Sequence, residues 1–219
     1  MQEAVWYFSD LPEKIVDVLV DYSSDKFDDD LINSTVGSLS PDNTVGNEEF
    51  KIRKSKNTWI STNCWIGGFI WHYVMRANRE NFLYDLTNIE QESIQYTHYF
   101  EGDFYTWHTD QASIKMYRPC AHNDEDKPEL SYDDKLLTDF SYKNSESIRK
   151  LSFVVQLSHP DDYEGGNLQL LDETGKLHIA PRRRGTVIFF DSRMRHRVLK
   201  IRKGHRKSLV GWVSGPRWK

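Results

Sequence analysis

A chain of 219 residues, 38% hydrophobic and 28% charged, carries enough apolar material for one well-formed core, and 13% aromatics exclude wholesale disorder. A formal net charge of −4 gives no overall positive field, which argues against nucleic acid as a main partner, and no apolar run reaches the length needed to cross a membrane. The only two cysteines, Cys64 and Cys120, are too few for a disulfide framework and lack zinc-finger spacing, so they read as reduced thiols of a cytoplasmic protein.

The opening "MQEAVWYFSDLPEK" is acidic, unlike the basic start of a signal peptide. The segment "SDLPEKIVDVLVDY" predicts a helix. Ile15, Val18, Leu19 and Tyr22 recur at helical spacing, and Asp10 and Glu13 stand where a capping box would close the first turn. Residues 23 to 48, rich in Asp, Ser, Asn and Gly, read as a long loop. "WIGGFIWHYVMRAN" predicts a second helix that buries Ile66, Phe69, Ile70, Tyr73, Val74 and Ala77.

From about residue 92 the period changes to two. Eight short segments read as strands: "ESIQYTHYF", "FYTWHTD", "KLSFVVQLS", "NLQLL", "KLHIAP", "GTVIFFD", "HRVLKI" and "KSLVGWVSG". The long acidic interruption at 120–148 follows the second of them. Strands gathered behind helices point to an α+β, mainly β fold: a double-sheet jelly roll braced by N-terminal helices. The whole chain reads as one domain, with 1–90 as mainly helical support and 91–216 as the jelly-roll core.

Within "FYTWHTD", His108 and Asp110 lie two residues apart on a strand, so their side chains share a face and can reach one point. His196 opens a later strand and Arg206 enters the last one. Pairing of these strands would bring His196 and Arg206 together. Two imidazoles and a carboxylate make the facial triad of non-haem Fe(II) oxygenases, with open coordination positions left over. Arg206 adds a planar fork suited to a carboxylate. Strand parity groups Arg206, Ser208, Val210 and Trp212 on one face. Rivals exist but lack a partner: His98 has no acid two positions away, Asp191 in "FFDSR" reads as a strand-closing turn, and His205 faces away from Arg206. "RRRG" at 182–185 reads as a solvated turn.

The text "YFEGDFYTWHTD", "YEGGNLQL", "RRGTVIFFDSRMRHRV" and "GHRKSLVGWVSG" resembles the Fe(II)- and 2-oxoglutarate-dependent dioxygenases, and within them the prolyl 4-hydroxylase group. The resemblance runs in order through most of residues 50–216. It implies a double-stranded β-helix in which His108, Asp110 and His196 ligate Fe(II), with 2-oxoglutarate and O₂ as co-substrates. It also implies that Arg206 and Ser208 hold the distal carboxylate of 2-oxoglutarate, that Tyr99 lines the co-substrate pocket, and that Tyr105 and Trp212 wall the substrate side. Arg149 matches a substrate-side arginine. Gln156 departs from the pattern, standing where a tyrosine often helps hold the co-substrate. The activity implied is hydroxylation of a C–H bond, with a prolyl residue in a peptide or protein as substrate and the acidic segment closing over it. The alternatives are a free amino acid, a small metabolite or an alkylated base as substrate, or a cupin-like module that binds metal or a small acid without turnover.

Overall fold

The computed structural model describes residues 3–34, 52–110 and 147–218. The acidic segment from 120 to 146 and Cys120 lie outside them. In chain order the elements are β1 (Val5–Phe8), α1 (Glu13–Phe27), β2 (Ile32–Asn33), β3 (Arg53–Lys54), β4 (Lys56–Ser61), α2 (Trp65–Ala77), β5 (Asn88–Ile89), β6 (Ser93–Tyr99), β7 (Phe104–His108) and β8 (Ser147–Gln156). They continue with β9 (Tyr163–Gly165), β10 (Leu168–Leu171), β11 (Leu177–Ile179), β12 (Val187–Asp191), β13 (Arg195–Val198), β14 (Ile201–Gly204) and β15 (Arg206–Pro216).

These strands form a large antiparallel sheet, β1-β12-β8-β15-β6-β4-β2, with β5 also against β15. A smaller sheet runs β11-β10-β13-β7-β3, and β14 and β9 make a ribbon. Alternation along β8 and β15 places side chains in two layers. Leu151, Phe153, Val155, Leu209 and Val213 point outward into a core shared with Val16 and Leu19 of α1 and Ile66, Ile70 and Val74 of α2. Val154, Ile188, Phe190 and Tyr99 of the large sheet point inward, meeting Leu168, Leu170 and Val198 of the small sheet. The result is the expected jelly roll with helices across its back.

All eight predicted strands form. "HRVLKI" proves to be two, β13 and β14, with the small-sheet pairing ending before Leu199. The N-terminal third is less helical than expected: β1 lies against β12, and β4 extends the large sheet from β6. These strands are short or polar, so alternation alone did not announce them.

Helix α1 corrects three expectations. It runs on to Phe27, into the expected loop. Its N-cap is Pro12, and no side-chain cap forms. Asp10 pairs instead with Arg76, and Glu13 with Arg184. Its buried face is Val16, Leu19 and Ser23, whereas Ile15 and Val18 are 38% and 52% exposed. The cause lies in "RRRG". Arg184 bonds both Glu13 and Asp17 at 2.7 Å, and Gly185 (φ 79°) leaves room for Val16, whose Cγ2 would sit 2.9 Å from any Cβ there. That segment is therefore the dock for α1, not a solvated turn. In α2 the expected stripe holds: Ile66, Ile70, Val74 and Ala77 are buried, and Phe69 and Tyr73 pack half-buried against the same core.

Candidate metal centre

On the small sheet, β7 and β13 run antiparallel with His108 directly opposite His196. Asp110 follows β7, and its backbone N–H donates to the Ser192 carbonyl at 3.0 Å, which fixes the turn. One potential ligand atom from each of His108, Asp110 and His196 lies within 4.8 Å of the others. His196 Nε2 stands 3.4 Å from Asp110 Oδ2, and His108 Nε2 stands 3.8 Å from Oδ1.

Both imidazoles are oriented from behind. His108 Nδ1 donates to the Thr106 carbonyl at 2.8 Å, and His196 Nδ1 donates to the Met194 carbonyl at 3.0 Å. With each Nδ1 engaged by a backbone carbonyl, the Nε2 atoms are the ones turned toward Asp110 and placed to meet a metal. Ser152 Oγ, on β8, donates to Asp110 Oδ2 at 2.7 Å. Burial pushes the Asp110 carboxyl upward, but His196, His108, the Ser152 hydroxyl and Arg149 together hold it below its ordinary value. Burial, then the neighbouring His196, lowers His108 to about 3. Both residues thus rest in the deprotonated, ligating form at neutral pH.

Arg206 does not pair with His196 as expected. It stands on the large sheet in register with Tyr99, while His196 belongs to the small sheet. The two still face one interior. The Phe190 ring of the large sheet lies 4.7 Å from that of His196, and the Arg206 guanidinium sits 5.6 Å above the Tyr99 ring. Arg206 is 1% exposed and meets no carboxylate among the described residues. Its Nη2 donates to Gln156 Oε1 at 2.9 Å, while its Nε and the Ser208 hydroxyl are buried without a partner. A buried cation and a buried hydroxyl left waiting side by side fit the outer carboxylate of a diacid. Gln156 buttresses Arg206, its amide donating to the Pro181 carbonyl at 3.2 Å.

On the open side, the Tyr105 ring stacks on His108 with centroids 3.5 Å apart. Arg149 is beside the site but occupied: it pairs with Glu90, donates to the Asp110 carbonyl at 3.1 Å and lies 4.2 Å above the Trp212 ring. Trp212 also meets Trp59, at 6.1 Å between rings. The rivals fall away. His98 lies on the helix side of β6, beside Tyr96 and 3.6 Å from Asp28. Asp191 takes Arg193 and Tyr84. Sequence reasoning missed Ser152, although it shares the strand parity of Gln156.

A family model described as the 2OG-Fe(II) oxygenase superfamily matches residues 94–214. A PKHD-type hydroxylase of Parvibaculum lavamentivorans is 35% identical over 63 residues, a stretch covering 29% of this chain and 28% of that protein. A prolyl-4-hydroxylase of Pseudomonas putida superposes with a TM-score of 0.61 at 18% identity, over 98% of this chain and 94% of that one. A prolyl hydroxylase from Trichoplax adhaerens, solved with a hypoxia inducible factor peptide fragment, gives 0.64 at 14% identity, over 96% and 83%.

Proposed function

The chain belongs to the 2OG-Fe(II) oxygenase superfamily, and from that membership we propose that it is an Fe(II)- and 2-oxoglutarate-dependent hydroxylase acting on a prolyl residue in a peptide or protein. The observation that carries the proposal is the pairing of a preset His-Asp-His cluster with a buried arginine that meets no carboxylate among the described residues. The donor set suits Fe(II): two imidazoles and a carboxylate, which leave coordination positions for further ligands.

In this reading His108, Asp110 and His196 hold the metal. Arg206 clamps the distal carboxylate of 2-oxoglutarate and Ser208 donates to it, with Tyr99 as the wall and Gln156 as the brace. The bound iron, 2-oxoglutarate and O₂ supply oxidative decarboxylation coupled to C–H hydroxylation. Everything else is positioning by the chain. Val154, Ile188 and Phe190 keep water from the interior. Tyr105 and Trp212 present aromatic faces on the substrate side, and Arg149 fixes Trp212 and the Asp110 turn. Support for a prolyl peptide comes from the names of the relatives and from the peptide-bound neighbour. The helices and jelly roll are read as one domain because they share the outer core. Among the described residues no helix is long and apolar enough to cross a membrane, and the free thiol of Cys64 suits the cytoplasm.

The test is release of succinate from 2-oxoglutarate with Fe(II) across a library of proline-containing peptides. We expect peptide-stimulated turnover that disappears in Asp110→Ala while the variant's circular dichroism matches the parent. Turnover unaffected by that change would remove the metal assignment. Metal binding without turnover of 2-oxoglutarate would favour a cupin-like binding module instead.

A further inference from the structure

Among the described residues Arg53 and Arg206 are the two buried arginines, and neither meets a carboxylate. The others that carry ion pairs do so plainly: Arg76 with Asp10 and Glu80, Arg149 with Glu90, Arg184 with Glu13 and Asp17, Arg193 with Asp191. A buried guanidinium satisfied only by neutral groups is costly, because hydrogen bonds from neutral acceptors do not balance its charge. For Arg206 the co-substrate resolves the imbalance. Arg53 needs a second anion, since the other end of 2-oxoglutarate is committed to the metal.

Arg53 is 7% exposed. Its Nε donates to Ser55 Oγ and its Nη2 to Gln95 Oε1, both at 2.9 Å. The Ser55 hydroxyl donates to Ser34 Oγ, and the Ser34 hydroxyl to Asn57 Oδ1, so the network behind Arg53 is made of neutral groups. Among the described residues no hydrogen bond engages Nη1. Arg53 lies opposite Tyr105 in the small sheet, its guanidinium 4.9 Å from that ring, and the same ring stacks on the metal ligand His108. Gln95 stands in register with Trp59 on one side and Val210 on the other. Paired residues share a face, so the Gln95 that Arg53 bonds lies on the same face as the Trp59–Trp212 pair. Trp212 Nε1 is itself buried without an acceptor.

We propose that Arg53 is the recognition point for a carboxylate on the substrate, seated between the metal centre and the Trp59–Trp212 wall and separate from the co-substrate anchor at Arg206. The inference rests on the hydroxylase reading only in calling the ligand a substrate. It narrows that reading to a molecule bearing a carboxylate close to the carbon that reacts, either a terminal carboxylate or an acidic side chain. Tyr105 and the two tryptophans would enclose its apolar part.

The test is tryptophan fluorescence titration of the full chain, under nitrogen, with Fe(II) and 2-oxoglutarate. The probes are N-acetyl-L-proline, N-acetyl-L-glutamyl-L-prolinamide and the uncharged N-acetyl-L-prolinamide. We expect one of the two acids to bind about tenfold more tightly than the amide, the increment of one charge-assisted hydrogen bond; which acid it is separates a terminal from a side-chain carboxylate. Arg53→Gln should erase the difference while 2-oxoglutarate still binds, and Arg53→Lys should restore part of it. Equal binding of acids and amide, no binding of any probe, or an acid preference that survives Arg53→Gln would overturn the proposal. The wild-type comparison decides the matter even if the variants fold poorly. Repeating the titration without iron and 2-oxoglutarate keeps the tests apart: acid selectivity with no 2-oxoglutarate binding would sink the hydroxylase reading and leave Arg53 standing.

Discussion

Two arginines are buried without a carboxylate partner among the described residues, and this sets their energetics. Arg206 meets no carboxylate among the described residues, so Arg206→Met should leave the ligand-free protein as stable as its parent or more so. Removing an unpaired buried cation is worth about 1–4 kcal/mol in favourable cases, against about 1–3 kcal/mol for leaving Gln156 Oε1 without its donor. The same variant should lose 2-oxoglutarate binding. Urea melts without ligand check the first half, and a markedly weaker Met variant would mean the guanidinium is already satisfied. Such residues were partly legible beforehand. His108 and Asp110 could be read because spacing of two on a strand fixes a shared face, and Ser208 follows Arg206 by the same rule. Ser152 obeys it too, but in "KLSFVVQLS" it looked like a polar interruption of a core strand. Only the fold shows Asp110 arriving opposite it. Arg53 gave no signal, because its role depends on partners 2 and 42 positions away.

Elements meet at seams, and one seam is acid-sensitive. Where the end of α1 crosses β6 and β15, His98 is buried beside Asp28, His205 and Lys207. Burial first, then the charges of His205 and Lys207, lowers His98 from the ordinary 6.5 to about 3, and burial also lowers His205. A histidine whose folded pKa lies below its unfolded value takes up its proton on unfolding. Its contribution is therefore fully present above pH 6.5 and is lost as pH falls from 6.5 toward 3. Each such group gives a slope of about 1.4 kcal/mol per pH unit. His98→Phe should flatten the stability profile between these limits relative to the parent, measured by denaturant unfolding at a series of pH values. An unchanged profile would show that His98 is protonated in the folded chain. At this scale the strands were legible because alternation survives even in short segments. The face of α1 was not: two overlapping apolar stripes were available, and the choice was made by Arg184 and Gly185, far along the chain.

For the whole molecule, ligand sites lie between layers, so binding should report on global stability. A metal held by His108, Asp110 and His196 would take its ligands from the small sheet and the turn after β7, and 2-oxoglutarate would bridge to the large sheet. A ligand at roughly a hundred times its Kd adds about 3 kcal/mol. In a chain of this length each kcal/mol moves Tm by about 2–4 °C. Mn(II) with 2-oxoglutarate should raise Tm by clearly more than Mn(II) alone, and a chelator should reverse the gain. Identical melts with and without 2-oxoglutarate would place the diacid outside this seam. The jelly roll itself was legible from eight alternating segments, whereas the strands recruited from the N-terminal third were not, since they are short and their pairing depends on partners elsewhere in the chain, as with Val5 and Phe190 or Lys56 and His98.

The His108–Asp110–His196 cluster and Arg206 stand on opposite walls of the sandwich, so in the proposed reading the gap between walls acts as a caliper for the diacid. Leu170, Ile188 and Phe190 fill the interior between those walls. Selectivity for a five-carbon over a four-carbon or six-carbon acid is then a property of interior volume, and one methylene added to that filling would shift it while leaving the three candidate ligands and Arg206 unchanged.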